Sequence, residues 1–113
     1  LHALEAVAEG VGARARTPAF GGLVRPALPR GALNPASIAQ ALGALLPEQA
    51  ILVNEAATSG FALPAMTAQA PPHDWLDLTG GSIGMGLPAA LGAAVACPDR
   101  RVVALQADGS AMY

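Results

Sequence analysis

Three short runs of this sequence hold residue types suited to binding an anion together with a divalent cation. Asn54-Glu55 is followed by Thr58-Ser59, Gly80-Gly81-Ser82-Ile83-Gly84 makes a small-residue turn, and Ala107-Asp108-Gly109-Ser110 makes an acidic one. Glycine lets the backbone approach a ligand closely, and the hydroxyls of Thr58, Ser59, Ser82 and Ser110 can donate to phosphate oxygens. Asp108 is the carboxylate of the last run. Mg²⁺ prefers hard oxygen ligands and commonly binds through one or two carboxylates, phosphate oxygens and water. Anchoring a diphosphate, with Mg²⁺ on Asp108, is the chemistry these residues can support together. Taken singly, each has a plainer use. An Asp-Gly pair stabilises a turn or caps a helix, and Ile83 or Met85 can simply fill a core. His2 and His73 have no partner at metal-ligand spacing, and Cys97 reads as a small buried hydrophobe.

Such turns work only if other elements carry them to one edge. Asn34-Pro35 is a helix start, with Asn as N-cap and Pro at the first helical position. Ile38, Ala41, Leu42, Leu45 and Leu46 extend an apolar stripe that Pro47 ends. Ala50 to Val53 predicts a short buried strand with Asn54-Glu55 at its carboxyl end. A helix then begins near Ala57 or Thr58, interrupted by Gly60 and Pro64, and Pro71 to Asp74 form a turn. Trp75 to Leu78 is a brief strand leading into Gly80-Gly81. Leu87 to Ala96 is apolar nearly all round and uncharged, which predicts a helix packed inside a domain. Cys97-Pro98-Asp99-Arg100 breaks it. Val102 to Leu105 shows no polar alternation, as expected of a strand covered on both faces.

Strands and helices in alternation specify an α/β domain with a mainly parallel sheet and helices on both faces. Ligands of such sheets bind outside the carboxyl ends of the strands, where all three runs fall. Two of the runs precede helices, whose first N–H groups are free and whose dipoles are positive there. That completes an anion-binding rim.

Composition narrows the classes further. The 113 residues suffice for one small domain. Apolar residues make up 53% and charged residues only 12%, against about a quarter charged in an average domain. A surface largely covered by other segments or subunits accounts for that scarcity. A net charge of −2 with six Lys and Arg excludes a nucleic-acid partner. No apolar run approaches the eighteen or so residues of a membrane span, and Leu1 to Glu5 do not resemble a signal peptide. A lone cysteine rules out an internal disulfide and fits a reducing compartment, so a cytoplasmic location is expected. Leu1, Leu4, Ala8 and Val11 recur at helical spacing, so residues 1–13 read as the last helix of a preceding domain. Residues 14–33, with Pro18, Gly21-Gly22, Pro26 and Pro29, read as a linker. Its Arg14, Arg16, Arg25 and Arg30 are taken as solvated linker charges in preference to an anion site.

Here the runs resemble a known family. Asp108-Gly109-Ser110 after a buried strand, about twenty-five residues beyond Gly81-Ser82-Ile83-Gly84, is similar to the thiamine-diphosphate enzymes. The likeness is to the benzoylformate decarboxylase, pyruvate decarboxylase and acetolactate synthase group, and it spans roughly Asn34 to Tyr113. Asn54-Glu55 with Thr58-Ser59, and Leu87-Pro88-Ala89-Ala90 after the glycine turn, agree in order and spacing. The resemblance implies that residues 34–113 form the N-terminal part of a diphosphate-binding domain, incomplete in this chain. It implies Mg²⁺ on Asp108, with Gly109, Ser110, Thr58, Ser59 and Ser82 around the diphosphate. Gly81 matches the position whose carbonyl accepts from the cofactor's 4′-amino group. Ile83 matches the apolar wedge beneath the cofactor, a task for which a stiff β-branched side chain is suited. Glu55 is tempting as a catalytic acid, but the family's activating glutamate lies in a different domain. Glu55 is therefore expected to bond neighbouring backbone or frame the pocket, and no catalytic residue is assigned.

Some features depart from the family. Ala107 replaces the first glycine of Gly-Asp-Gly, which is tolerable if its backbone angles suit a non-glycine residue. Ala56-Ala57 replaces a more polar run. The second metal ligand, an Asn some twenty-five residues after the Asp, has no counterpart, nor has the pyrimidine-binding domain, so a fragment of a longer chain is expected. The parent implied is an enzyme that decarboxylates or ligates 2-oxo acids with thiamine diphosphate and Mg²⁺, as a homodimer or homotetramer. The rival readings are a non-catalytic regulatory or assembly domain on the same fold and a dinucleotide binder. The glycine spacing does not fit a dinucleotide site.

Overall fold

The computed structural model describes residues 1–13 and 24–113. Arg14, Arg16, Pro18 and Gly21-Gly22 of the expected linker lie outside the described residues. The elements run α1 (His2–Gly10), α2 (Pro35–Leu45), β1 (Ile51–Glu55), α3 (Leu63–Thr67), β2 (Asp74–Asp77), α4 (Gly86–Ala96) and β3 (Val102–Gln106). Short 3₁₀ turns at Ala57–Gly60, Thr79–Gly81 and Ser110–Met112 follow the three strands. The helix start at Asn34 is a reciprocal capping box. Asn34 Oδ1 accepts from the Ser37 N–H and Ser37 Oγ accepts from the Asn34 N–H, both at 2.9 Å.

The strands lie in the order β2-β1-β3, and both pairings are parallel. The chain steps from β1 to β2 through α3, then back across β1 to β3 through α4. Right-handed crossovers in opposite directions put α3 and α4 on opposite faces. On one face Leu46, Ala50 and Leu52 form the core, packed by Leu42, Trp75, Val103 and Leu105. On the other, α4 lies against β1 and β3. Central β1 is buried along nearly its whole length, as its Ile-Leu-Val run requires. Gly43 lets α2 lie close to α3, since a Cβ there would collide with the Met66 carbonyl.

Several expectations change. α4 is not enclosed: Leu87, Leu91 and Val95, at i, i+4 and i+8, remain 47%, 67% and 75% exposed among the described residues. β3 is half-buried where full cover was expected. An apolar sequence shows that a surface needs covering, and these residues alone do not cover it. β2 begins one residue early, the Asp74 N–H donating to the Ala50 carbonyl at 2.9 Å, and ends one early, where Asp77 Oδ1 accepts from the Leu78 N–H at 2.8 Å. The helix expected from Ala57 splits into the 3₁₀ turn and α3. Arg25 is not merely solvated, since its Nε donates to the Gly43 carbonyl at 3.0 Å near the end of α2. No residue of α1 is buried. Among the described residues no helix is long and apolar enough to cross a membrane.

Candidate functional site

The parallel register sets the site. Glu55 and Gln106 are partners across β1 and β3, and successive side chains alternate faces. Both therefore share the α4 face of the sheet with Ile51 and Val53, at its carboxyl edge. Glu55 is only 3% exposed. Its carboxylate accepts from the Gly84 N–H, from the Gly86 N–H at 2.7 Å and from Gln106 Nε2 at 2.9 Å. Burial pushes the Glu55 carboxyl up, but the Gln106 amide and the Gly86, Gly84 and Met85 N–H groups outweigh it. They hold the pKa below the ordinary glutamate range.

This arrangement alters the expected anion rim. The N–H groups where α4 begins do not face a ligand, because the carboxylate of Glu55 takes them. The protein supplies its own anion at that helix terminus. Glu55 thus bonds neighbouring backbone, the role expected of it.

A cleft of about 540 Å³ opens at the same sheet edge, lined by residues including Glu55, Ala57, Leu78, Ile83, Asp108 and Ser110. It brings together Ile83 from the glycine turn and Asp108, Gly109 and Ser110 from the turn after β3. Ile83 is 49% exposed towards solvent. Asp108 and Gly109 are exposed beside it. The 3₁₀ turn after β2 carries positive φ at Gly80 (64°) and Gly81 (74°), and a Cβ at either would meet nothing within 4 Å. Glycine is needed there for conformation, and the backbone of Gly81 lies open. Ser82 is exposed on the same turn.

Other sequence-predicted residues are placed differently. Thr58 and Ser59 are exposed, but Ala57, not they, lines the cleft from the β1 side. Ser59 borders a separate small cleft with Pro35, Ile38 and Leu105. Ser110 is buried, and its hydroxyl faces inward: it accepts from Gln106 Nε2 at 2.6 Å and donates to the Ala107 carbonyl at 3.1 Å. Ala107 meets its condition, since Gln49 and Ala57 alone carry positive φ among the described non-glycine residues. Ala57, at φ 48°, holds a conformation that costs a non-glycine residue energy, right at the cleft wall. No group of three or more His, Cys, Asp or Glu side chains able to hold a metal occurs among the described residues.

Sequence reasoning passed over Gln106 and Gly86. A clue to Gln106 was there, a lone polar residue ending an apolar strand. Gly86 has no room for a side chain, because a Cβ would come within 2.7 Å of Glu55 Oε2 and against Gln106 Oε1.

Comparison with known proteins bears on the same stretch. The family described as thiamine pyrophosphate enzyme, C-terminal TPP binding domain, matches residues 57–113. The chain belongs to the thiamine pyrophosphate enzymes. A Mycobacterium tuberculosis (strain ATCC 25618 / H37Rv) protein provisionally named an acetolactate synthase large subunit is 57% identical over 111 residues, covering 98% of this chain and 21% of its own. Benzoylformate decarboxylase of Pseudomonas aeruginosa is 37% identical over 113 residues, 97% of this chain and 21% of its own. Acetolactate synthase isozyme 1 large subunit of Escherichia coli is 55% identical over 42 residues, 36% of this chain and 8% of its own. The chain spans about one fifth of the length of the first two relatives. No solved structure matches it. The cleft suits the family's cofactor, thiamine pyrophosphate (thiamine diphosphate). Its lining combines the apolar side chains of Ile83 and Leu78 with the open carboxylate of Asp108.

Proposed function

We propose that this chain forms the diphosphate- and Mg²⁺-anchoring part of an enzyme that decarboxylates or ligates 2-oxo acids. The observation that carries the reading is the single cleft joining Ile83 to Asp108, Gly109 and Ser110. In this reading Asp108 would hold Mg²⁺, a cation that prefers hard oxygen ligands. The exposed backbone of Gly109, with the hydroxyl of Ser82, binds the diphosphate. Thr58 and Ser59, expected on the diphosphate, do not line this cleft and take no part in the reading. Ser110, its hydroxyl turned inward, shapes the metal-binding turn from below. Ile83 supports the rings from beneath, and the Gly81 carbonyl orients the amino group of the pyrimidine. When bound, thiamine diphosphate supplies the nucleophilic carbon and the electron sink that loss of CO₂ from a 2-oxo acid requires. The residues of this chain would bind and orient it.

The names of the relatives support both decarboxylation and ligation as outcomes. The parent is proposed to be a cytoplasmic homodimer or homotetramer, in keeping with the sparse charge and the wide apolar surface of α4. Titration of thiamine diphosphate into the full-length protein, with and without Mg²⁺, tests the reading. Saturable binding that disappears on chelation of Mg²⁺ is expected. Binding indifferent to the metal, or a preference for a dinucleotide, overturns it.

A further inference from the structure

The two turns that meet in the cleft belong to segments separated by α4 and β3, yet one chain of partly buried hydrogen bonds joins them. It starts at Gly84 and Gly86, whose N–H groups donate to the two oxygens of Glu55. Glu55 Oε2 also accepts from Gln106 Nε2 at 2.9 Å, and the same nitrogen donates to Ser110 Oγ at 2.6 Å. Ser110 Oγ closes the chain on the Ala107 carbonyl at 3.1 Å. Five bonds therefore connect the start of α4, just after Ile83, to the turn that carries Asp108.

This link is not the cheapest way to fill the space. Among the described residues Gln106 Oε1 is buried with no partner, and an unpaired buried acceptor forfeits the solvation it had in water. A buried carboxylate is likewise often replaceable by apolar groups without loss of stability. What apolar groups cannot supply is a fixed direction. A satisfied carboxylate with two backbone donors fixes where the glycine turn ends, and a low-dielectric surround strengthens each bond. Gly86 fits the same purpose, since any side chain there would strike both Glu55 and Gln106.

We propose that Glu55 and Gln106 are positioning residues that lock the Ile83-bearing turn and the Asp108–Ser110 turn into one geometry. The wedge beneath the cofactor and the metal-binding carboxylate are thereby set together. This rests on the thiamine diphosphate reading given above, and it adds two residues that act through the turns they hold.

Hydrogen–deuterium exchange on the full-length protein without cofactor tests the coupling. Gln106→Met keeps the side-chain volume, removes the bonds to Glu55 and Ser110, and abolishes the orphaned oxygen, so it should fold. Glu55→Gln faces donors against donors and serves as a second variant. In Gln106→Met, exchange should quicken at least tenfold both in residues 79–86 and in residues 107–113, with residues 35–46 unchanged. Acceleration confined to residues 107–113, or spread evenly over the protein, overturns the proposal. In parallel, the Kd for thiamine diphosphate at saturating Mg²⁺ is measured well below the lowest Tm. Each variant should weaken binding about tenfold or more, and the double variant no more than the worse single one, since the two residues act as one link. Wild-type binding retained by folded Gln106→Met overturns the positioning role. Coupled exchange in a wild-type protein that binds no thiamine diphosphate overturns the cofactor reading and leaves the loop coupling standing.

Discussion

Replacing Gly86 by alanine sets two physical effects against each other within one residue. Gly86 is the first residue of α4 and is buried. Alanine in a helix is favoured over glycine by about 0.5–1 kcal/mol because it has less backbone freedom to lose. The added Cβ, however, would lie 2.7 Å from Glu55 Oε2 and 2.9 Å from Glu55 Cβ. The carboxylate cannot step aside, since the same oxygen accepts from Gly86 and from Gln106. Overpacking of this kind costs about 1–3 kcal/mol. The cost wins, and a net loss of roughly 1–2 kcal/mol is expected once the helix gain is subtracted. Gly92, two turns along the same helix, provides the control. A Cβ there meets nothing within 4 Å, so Gly92→Ala should gain about 0.5–1 kcal/mol. Urea unfolding of the full-length protein reads both, as shifts in midpoint at unchanged m-value. Gly86→Ala as stable as wild type would refute the argument, because it would mean that Glu55 and Gln106 can move freely. A loss at Gly92 would show instead that another segment covers that face of α4.

Three further predictions concern the cleft. Asp108→Ala should abolish Mg²⁺-dependent binding of thiamine diphosphate in calorimetric titration, and an unchanged affinity would remove the metal assignment. Ile83→Ala should lower kcat more than cofactor affinity, because it removes a support for the rings and leaves the phosphate anchor in place; equal losses would count against the wedge. Glu55, whose pKa is lowered on folding, should contribute stability that is complete above the unfolded glutamate value of about 4.3. That contribution is lost as the pH falls through the lower folded value. Wild type and Glu55→Gln should therefore differ in unfolding midpoint by a constant amount above about pH 5 and converge in stronger acid. A gap that widens with acid would contradict the hydrogen-bonding account.

What could be read in the sequence was local. The helix start at Asn34 follows from an N-cap residue placed before a proline, and β1 from its run of Ile, Leu and Val; the reciprocal bond from Ser37 was not read. The three polar runs could be placed at one sheet edge because parallel strands gather their carboxyl ends. The partner of Glu55 was not legible in the same way. Gln106 lies 51 residues further on, and only the β1–β3 register brings the two side by side. Arg25 is a similar case, capping the carbonyl of Gly43 from 18 residues away. The inward hydroxyl of Ser110 depends on Gln106 and could not be foreseen without it. α4 illustrates a different limit. Uniform apolarity says that a helix has no water-facing side, but it does not name the segment that covers each face.

Strand β1 carries these levels of organisation in five residues. Its even side, at Leu52, joins the core against α2, while its odd side meets α4 through Ile51 and Val53. A third apolar residue at position 55 would have continued that odd row and closed the domain more simply. A carboxylate stands there instead, at the level where the strand ends and the cleft begins. It takes the backbone donors that a free α4 terminus would have offered to an anion. The proposed anion site therefore lies away from the helix end, at the turn of Asp108, Gly109 and Ser110, where Asp108 is the open carboxylate among the described residues of the cleft. A metal-bridged diphosphate fits that placement better than a bare phosphate would. Without the neutralising effect of a cation, an anion beside Asp108 and close to Glu55 would meet two negative charges.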